Sequence, residues 1–194
     1  DIKTVVLPGV FFPHFTISTK ILLQFLETKK LFNKTLLELG CGTGIISVYS
    51  AQKGAKVTSS DINPAAIENV MLNANKNKVE LFPILSDLFT LIPKQQFNYI
   101  IINPPYYPKA PENRAEEAWF CGENFEYFEK LFSSIGPYFS DASEVLMILS
   151  EDCEIEKIKA IAKKNNLLFN TVLEKQKMGE MNFVFRIKKS NQEF

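Results

Sequence analysis

Cysteine is scarce in this 194-residue chain, and the three present, Cys41, Cys121 and Cys153, fall without any paired spacing. That excludes a zinc site of the paired-cysteine type and a disulfide framework, and it suits a reducing cytoplasm. Histidine is scarcer still. His14 stands alone between Pro13 and Phe15, where a satisfied or surface imidazole is the expected reading rather than a catalytic base. No apolar run approaches the roughly 20 residues needed to cross a bilayer, and the start carries no basic segment leading into an apolar stretch. No membrane partner is therefore expected. Net charge is missing too, with 22 basic against 22 acidic side chains. This removes the general electrostatic argument for nucleic acid while leaving a local patch open. Internal repeats and low-complexity tracts are absent. The chain begins at Asp1 rather than Met, so an upstream piece of unstated length is expected to have been trimmed.

Strand-like and helix-like runs alternate from residue 34 onward. Residues 35–39 form a short apolar run ending in a glycine turn, and 45–53 continue as a helix closed by Gly54. Residues 55–60 are expected to be a strand ending at Asp61. Asn63 and Pro64 supply an N-cap and a first-turn proline for a helix over 65–76, with Ala66, Val70 and 72–74 on its apolar side. Further strands are expected at 79–85, 97–102 and 145–149, amphipathic helices at 123–139 and 151–165, and a closing antiparallel hairpin at 168–174 and 182–188 around Gly179. Such alternation implies an α/β fold with a mostly parallel sheet covered on both faces. One domain is expected over 1–194, with 1–33 a helical, substrate-side extension and 34–194 the core. Charge is uneven: 156–189 hold nine basic residues against three Glu, and 112–130 hold six Glu against two basic residues. Solvated faces explain both runs without a ligand, although Lys175, Lys177, Arg186, Lys188 and Lys189 also offer contacts for phosphates.

Two motifs carry chemistry. Gly40, Gly42 and Gly44 form a turn between a first strand and a helix, headed by Glu38. Glycines there let a ligand approach the backbone. The spacing is shorter than the dinucleotide fingerprint, which argues against a dehydrogenase, and it suits S-adenosylmethionine. Glu38 is expected near the cationic amino-acid end, Cys41 as a small packing residue in the turn, and Asp61 on the ribose hydroxyls. Ile62 is expected to face the adenine ring and the Asp87 region to recognise its amino group.

The second motif is Asn103-Pro104-Pro105-Tyr106 after the apolar run 99–102. An amide or exocyclic amino nitrogen is a poor nucleophile because its lone pair is delocalised. An Asn oxygen and the Pro104 carbonyl can accept its two N–H hydrogens, the two prolines stiffen the backbone that aims them, and Tyr106 stacks on the planar group. The long loop 107–118, with Pro108 and Pro111, follows directly and is expected to be functional.

On these motifs the chain resembles class I methyltransferases of the small-domain group, whose fourth strand ends in Asn-Pro-Pro-Tyr, over residues 7–150. The stretch Ala118-Trp119-Phe120-Cys121-Gly122-Glu123-Asn124-Phe125 is similar to the Ala-Trp-Ala-Gly-Gly-x-x-Gly segment of release-factor glutamine methyltransferases, with Cys121 and Phe125 in place of two glycines. The start, Leu7-Pro8-Gly9-Val10-Phe11-Phe12, resembles ribosomal-RNA guanine methyltransferases, which usually carry Phe where this chain has Tyr106. The resemblance implies a Rossmann-like, seven-stranded sheet with an antiparallel last strand, helices on both faces and S-adenosylmethionine as cofactor. It also implies a Thr or Ser near the methionine end. Thr16, Ser18 and Thr19 are candidates, and Thr19, heading a helix-like run at 20–26, is preferred.

The activity implied is N-methylation of a planar nitrogen, a protein glutamine such as that of a translation release factor ahead of an RNA or DNA base. A cofactor-binding module without catalysis is the alternative. The bacterial release-factor enzymes carry a helical substrate domain upstream for which this chain has no room. Loop 107–118 with the helices, or a separate partner protein, is therefore expected to hold the substrate.

Overall fold

A computed structural model describes residues 2–10, 17–114, 116–177 and 179–190. His14 and Thr16 lie outside the described residues, as do Phe11 and Phe12. Seven strands form one sheet: β1 (Thr35–Leu39), β2 (Lys56–Asp61), β3 (Phe82–Leu85), β4 (Tyr99–Ile102), β5 (Glu144–Ser150), β6 (Leu167–Lys177) and β7 (Glu180–Lys189), in the order β3-β2-β1-β4-β5-β7-β6. β1 to β5 run parallel, and β7 pairs antiparallel with β5 and β6. The fold expected from the alternation and the family resemblance is the one observed.

Alternating side chains explain the burial of both faces. Leu37, Leu39, Ile100, Ile102, Val145, Met147 and Phe185 pack with Phe128, Leu131 and Phe132 of α4 (Glu126–Ser134) and Ile158, Ile161 and Ala162 of α5 (Ile155–Lys164). Leu36, Val57, Tyr99, Ile101, Leu146 and Ile148 pack the other way, on Ile21, Leu22 and Leu26 of α1 (Ile17–Leu26) and Ile46 of α2 (Ile45–Gln52). The remaining helix, α3 (Pro64–Asn77), joins β2 to β3 and is capped by the Asn63 side chain, which accepts from the Ala65 N–H at 3.0 Å.

Several boundaries differ from those expected, each for a local reason. The strand expected at 79–85 begins at Phe82, because the Val79 N–H donates to the Ala74 carbonyl at 3.1 Å and closes α3. The helix expected over 123–139 starts at Glu126 after Phe125 in a left-handed conformation (φ 63°), and the 3-10 turn at Gly136–Tyr138 follows it. On α3 the buried side chains are Ala66, Asn69, Val70, Asn73 and Ala74, whereas Leu72 is exposed. Only Ile17–Leu26 of the expected helical extension is helical among the described residues, and Lys3, Val5 and Leu7 of the segment 2–10 hydrogen-bond to asparagines of α3. Thr19 does not head that helix; it sits buried in its first turn.

Candidate active site

β1 lies between β2 and β4, so the chain leaves β1 toward one side of the sheet and returns through β4 on the other. Open α/β sheets hold their ligands in the crevice at such a switch point, outside the carboxyl ends of the strands. Leu39 is in register with Ile102, which makes Gly40 and Asn103 the first residues past adjoining strand ends. Both line one cavity of about 410 Å³. It takes in Glu38, Gly40, Cys41, Gly42, Asp61, Ile62, Asp87, Asn103, Pro104, Pro105, Tyr106 and Thr19. Gly44, one residue further on, caps α2 and is not among the lining residues.

The glycine turn is fixed from below. Gly40, Gly42 and Gly44 take φ of 75°, 51° and 72°, a region that L side chains rarely adopt. The Gly40 and Cys41 N–H groups donate to the Ser60 carbonyl at 2.8 and 2.9 Å. A Cβ on Gly40 would meet nothing within 4 Å, so this side of the turn faces open space; at Gly44 it would stand 2.1 Å from Val70 Cγ2. Asp61 ties the turn to the start of α3, with Oδ2 accepting from the Gly42 N–H and Oδ1 from the Asn63 N–H, both at 2.9 Å.

The charges of the cavity are governed by burial. Glu38 is 5% exposed, and desolvation pushes its carboxyl up to about 8, against the Ser47 N–H and hydroxyl that donate to Oε2. Ser59 completes this chain by donating to the Ser47 hydroxyl at 2.7 Å. Asp61 is also raised, by desolvation first, with the backbone donors of Asn63 and Gly42 pulling the other way. The Cys41 thiol is pushed well up by burial and by the Asp61 and Glu38 carboxylates, which keeps it protonated and agrees with a packing role. Asp87, in the region expected to recognise the adenine amino group, is paired with Lys130 of α4.

The Asn-Pro-Pro-Tyr segment is held by the stretch that follows the loop. Tyr106 and Tyr107 N–H groups donate to the Trp119 carbonyl at 3.2 and 3.0 Å, and the Cys121 N–H returns to the Tyr107 carbonyl at 2.9 Å. A single parallel bridge joins Tyr107 to Phe120, so the loop 107–118 is closed at its base. Tyr106 packs against the larger core, and its hydroxyl meets Ser150 at the end of β5 and Tyr107. Tyr107, whose ring centroid lies 4.7 Å from that of Tyr106, is not among the lining residues.

Several lining residues were not read from the sequence. Ser60 has a buried hydroxyl with no hydrogen-bond partner. Tyr127 and Lys130 enter from α4 three residues apart, which places them on one helix face. The only sequence signal for that face was the charge run 112–130. Ser18 lines the cavity beside Thr19, and Trp119 lines it while 45% exposed.

The family model of the methyltransferase small domain matches residues 1–120, and this chain belongs to that family, whose class property is dependence on S-adenosylmethionine. A putative protein N5-glutamine methyltransferase of Methanocaldococcus jannaschii is 41% identical over 85 residues, 43% of this chain and 43% of its own length. Ribosomal RNA small subunit methyltransferase C of Buchnera aphidicola is 32% identical over 161 residues, 80% of this chain and 44% of its own. The chain thus spans under half the length of these two relatives. Among solved structures, the E. cuniculi Mtq2-Trm112 complex, responsible for methylation of the eRF1 termination factor, superposes with a TM-score of 0.71 at 20% identity, covering 94% of this chain and 99% of that one. The T. thermophilus 16S rRNA N2 G1207 methyltransferase, in complex with AdoMet and guanosine, gives a TM-score of 0.69 at 16% identity, covering 96% and 46%. These likenesses establish the class I methyltransferase fold.

Proposed function

We propose that the chain is an S-adenosylmethionine-dependent N-methyltransferase acting on a planar amide nitrogen, a protein glutamine of the release-factor type. The observation that carries this is the juxtaposition of Gly40 and Asn103 past adjoining strand ends in one cavity. The residues fit the cofactor: open space over Gly40, an unpartnered Ser60 hydroxyl on the wall, and the Glu38 carboxyl where a cationic amino group would restore its charge. Glu38, Gly40, Cys41, Gly42 and Thr19 would hold the amino-acid end, Asp61 the ribose, and Ile62 with the Asp87 region the adenine. When bound, S-adenosylmethionine supplies an electrophilic methyl and a sulfonium leaving group. The Asn103 side-chain oxygen and the Pro104 carbonyl accept the two N–H hydrogens of the acceptor, which frees its lone pair for attack. Tyr106 walls the acceptor side. Orientation and exclusion of water do the work, and no general base is needed because the proton becomes acidic as the new bond forms.

We extend the proposal to a single domain over 1–194 in which the acceptor is held by the loop 107–118 or by a separate partner protein. The solved Mtq2-Trm112 likeness supports a partner, and the free, buried Cys41, Cys121 and Cys153 suit a reducing cytoplasm. No helix among the described residues is long and apolar enough to cross a membrane. The second reading, methylation of an RNA base, is favoured by the longer match to the ribosomal RNA enzyme. Transfer of label from tritiated cofactor to a cell extract, followed by protease or nuclease, separates the two. Asn103→Ala is expected to lower the rate at least ~100-fold while cofactor binding persists, the signature of a group acting in the transition state; an unchanged rate removes the role assigned to Asn103.

A further inference from the structure

Three asparagines on one face of α3, Asn69, Asn73 and Asn77, act together as the hydrogen-bonding neighbour of residues 3–7. Asn77 accepts from the Lys3 N–H at 2.9 Å and donates to the Lys3 carbonyl at 2.7 Å. Asn73 does the same for Val5, at 2.8 and 2.9 Å. Asn69 accepts from the Leu7 N–H at 2.6 Å and donates to the Val5 carbonyl at 3.0 Å. The registers match because four helical residues advance about 6 Å and two extended residues about 6.6 Å. One further asparagine, Asn63, donates to the Gly9 carbonyl at 3.0 Å, where Gly9 lines the cavity. The same Asn69 and Asn73 amide groups also donate to the Thr43 carbonyl inside the glycine turn, at 3.4 and 2.9 Å. Asn69 and Asn73 are buried, so each lost partner would leave a desolvated polar group.

We propose that Asn69 and Asn73 are positioning residues that join the arm 2–10 to the glycine turn, so that the arm sets the affinity of the cofactor cavity without touching the reacting atoms. The inference rests on the reading of that cavity as the S-adenosylmethionine site. An ordered arm holds the two amides, the amides hold the Thr43 carbonyl, and the turn keeps the left-handed conformations that leave its ligand side open. Val5→Pro removes the N–H that Asn73 accepts and changes no residue of α3 or of the turn; Asn73→Leu removes all of its side-chain bonds. Calorimetric titration with S-adenosylmethionine is expected to give a Kd about tenfold weaker for Val5→Pro, weaker again for Asn73→Leu, and little further loss in the double variant. Hydrogen exchange at Lys3 and Leu7 is expected to quicken in both. With any methyl acceptor, cofactor KM rises while kcat at saturation holds, whereas mere loss of folded protein lowers kcat and leaves KM alone. Val5→Ala keeps the N–H and is expected to bind more tightly than Val5→Pro. If the native chain binds and Val5→Pro matches its affinity while exchange in the arm quickens, the inference fails alone. A native chain that does not bind S-adenosylmethionine overturns the cofactor reading and this inference with it.

Discussion

Glu38 is the residue at which burial and charge meet most directly. Its carboxyl titrates near 8 in the folded chain and near 4.5 when unfolded, so the folded state binds the extra proton between those values. The sign follows from linkage: the protonated group is fully accommodated below about 4.5, and stability is lost as pH rises toward 8, by about 1.4 kcal/mol per pH unit at the steepest. Urea midpoints of the ligand-free protein are therefore expected to fall between pH 5.5 and 8, and Glu38→Gln to flatten that slope. Phe125 poses a different residue-scale question. Its φ of 63° is glycine-like, and it stands where the release-factor segment has Gly, yet its ring is wholly buried and Lys157 Nζ lies 4.4 Å from its centroid. The backbone conformation suits the glycine of the related segment while the side chain fills core. Phe125→Gly relieves about 1 kcal/mol of backbone strain but empties a core site, for an expected net loss of about 3 kcal/mol in denaturant unfolding.

At the scale of elements, the glycine turn and α3 fit closely at Gly44 and Val70. Gly44→Ala adds a left-handed L residue and drives a methyl into Val70, for an expected loss of about 3 kcal/mol. Val70→Ala in the same chain removes the 2.1 Å clash with Cγ2 but keeps Cβ at 2.8 Å, so it is expected to recover part of the steric loss and leave the strain, and a double-mutant cycle should show coupling. The elements most legible in the sequence were those bounded by backbone chemistry. β1 ends at its glycine turn, and Asn63-Pro64 starts α3 where a cap and a proline require. Legibility failed where tertiary partners decide. β3 is only as long as its pairing with Thr58–Asp61 of β2. Asn69 and Asn73 lie on the buried face because a segment some 65 residues away supplies their hydrogen bonds, which no helical periodicity of apolar residues reveals.

Across the whole molecule, charge separates the two acceptor classes. Among the charged residues lining the cavity, Glu38, Asp61, Asp87, Glu117 and Glu126 face Arg114 and Lys130. The basic stretch that suggested phosphate contacts is in part committed elsewhere: Arg186 and Lys29 both pair with Glu144, at 3.0 and 2.8 Å, and Lys175 donates to Gln24 at 2.6 Å. Methyl transfer to a protein acceptor is therefore expected to change little between 50 and 200 mM salt, whereas a fall of about 10³-fold over that range would mark neutralised phosphates and an RNA substrate. The motif order along the chain was enough to bring 40–44 and 103–106 to one sheet edge, since right-handed crossovers leave few other arrangements. The α4 side of the cavity was not legible, because Tyr127 and Lys130 reach it only through packing of that helix. The hydrogen bonds joining Tyr106 and Tyr107 to 119–121 have an evolutionary corollary. They act as a collar around the neck of the loop, so its tip can be exchanged like a tool bit while Tyr106 and Tyr107 stay put at the end of the strand-edge segment.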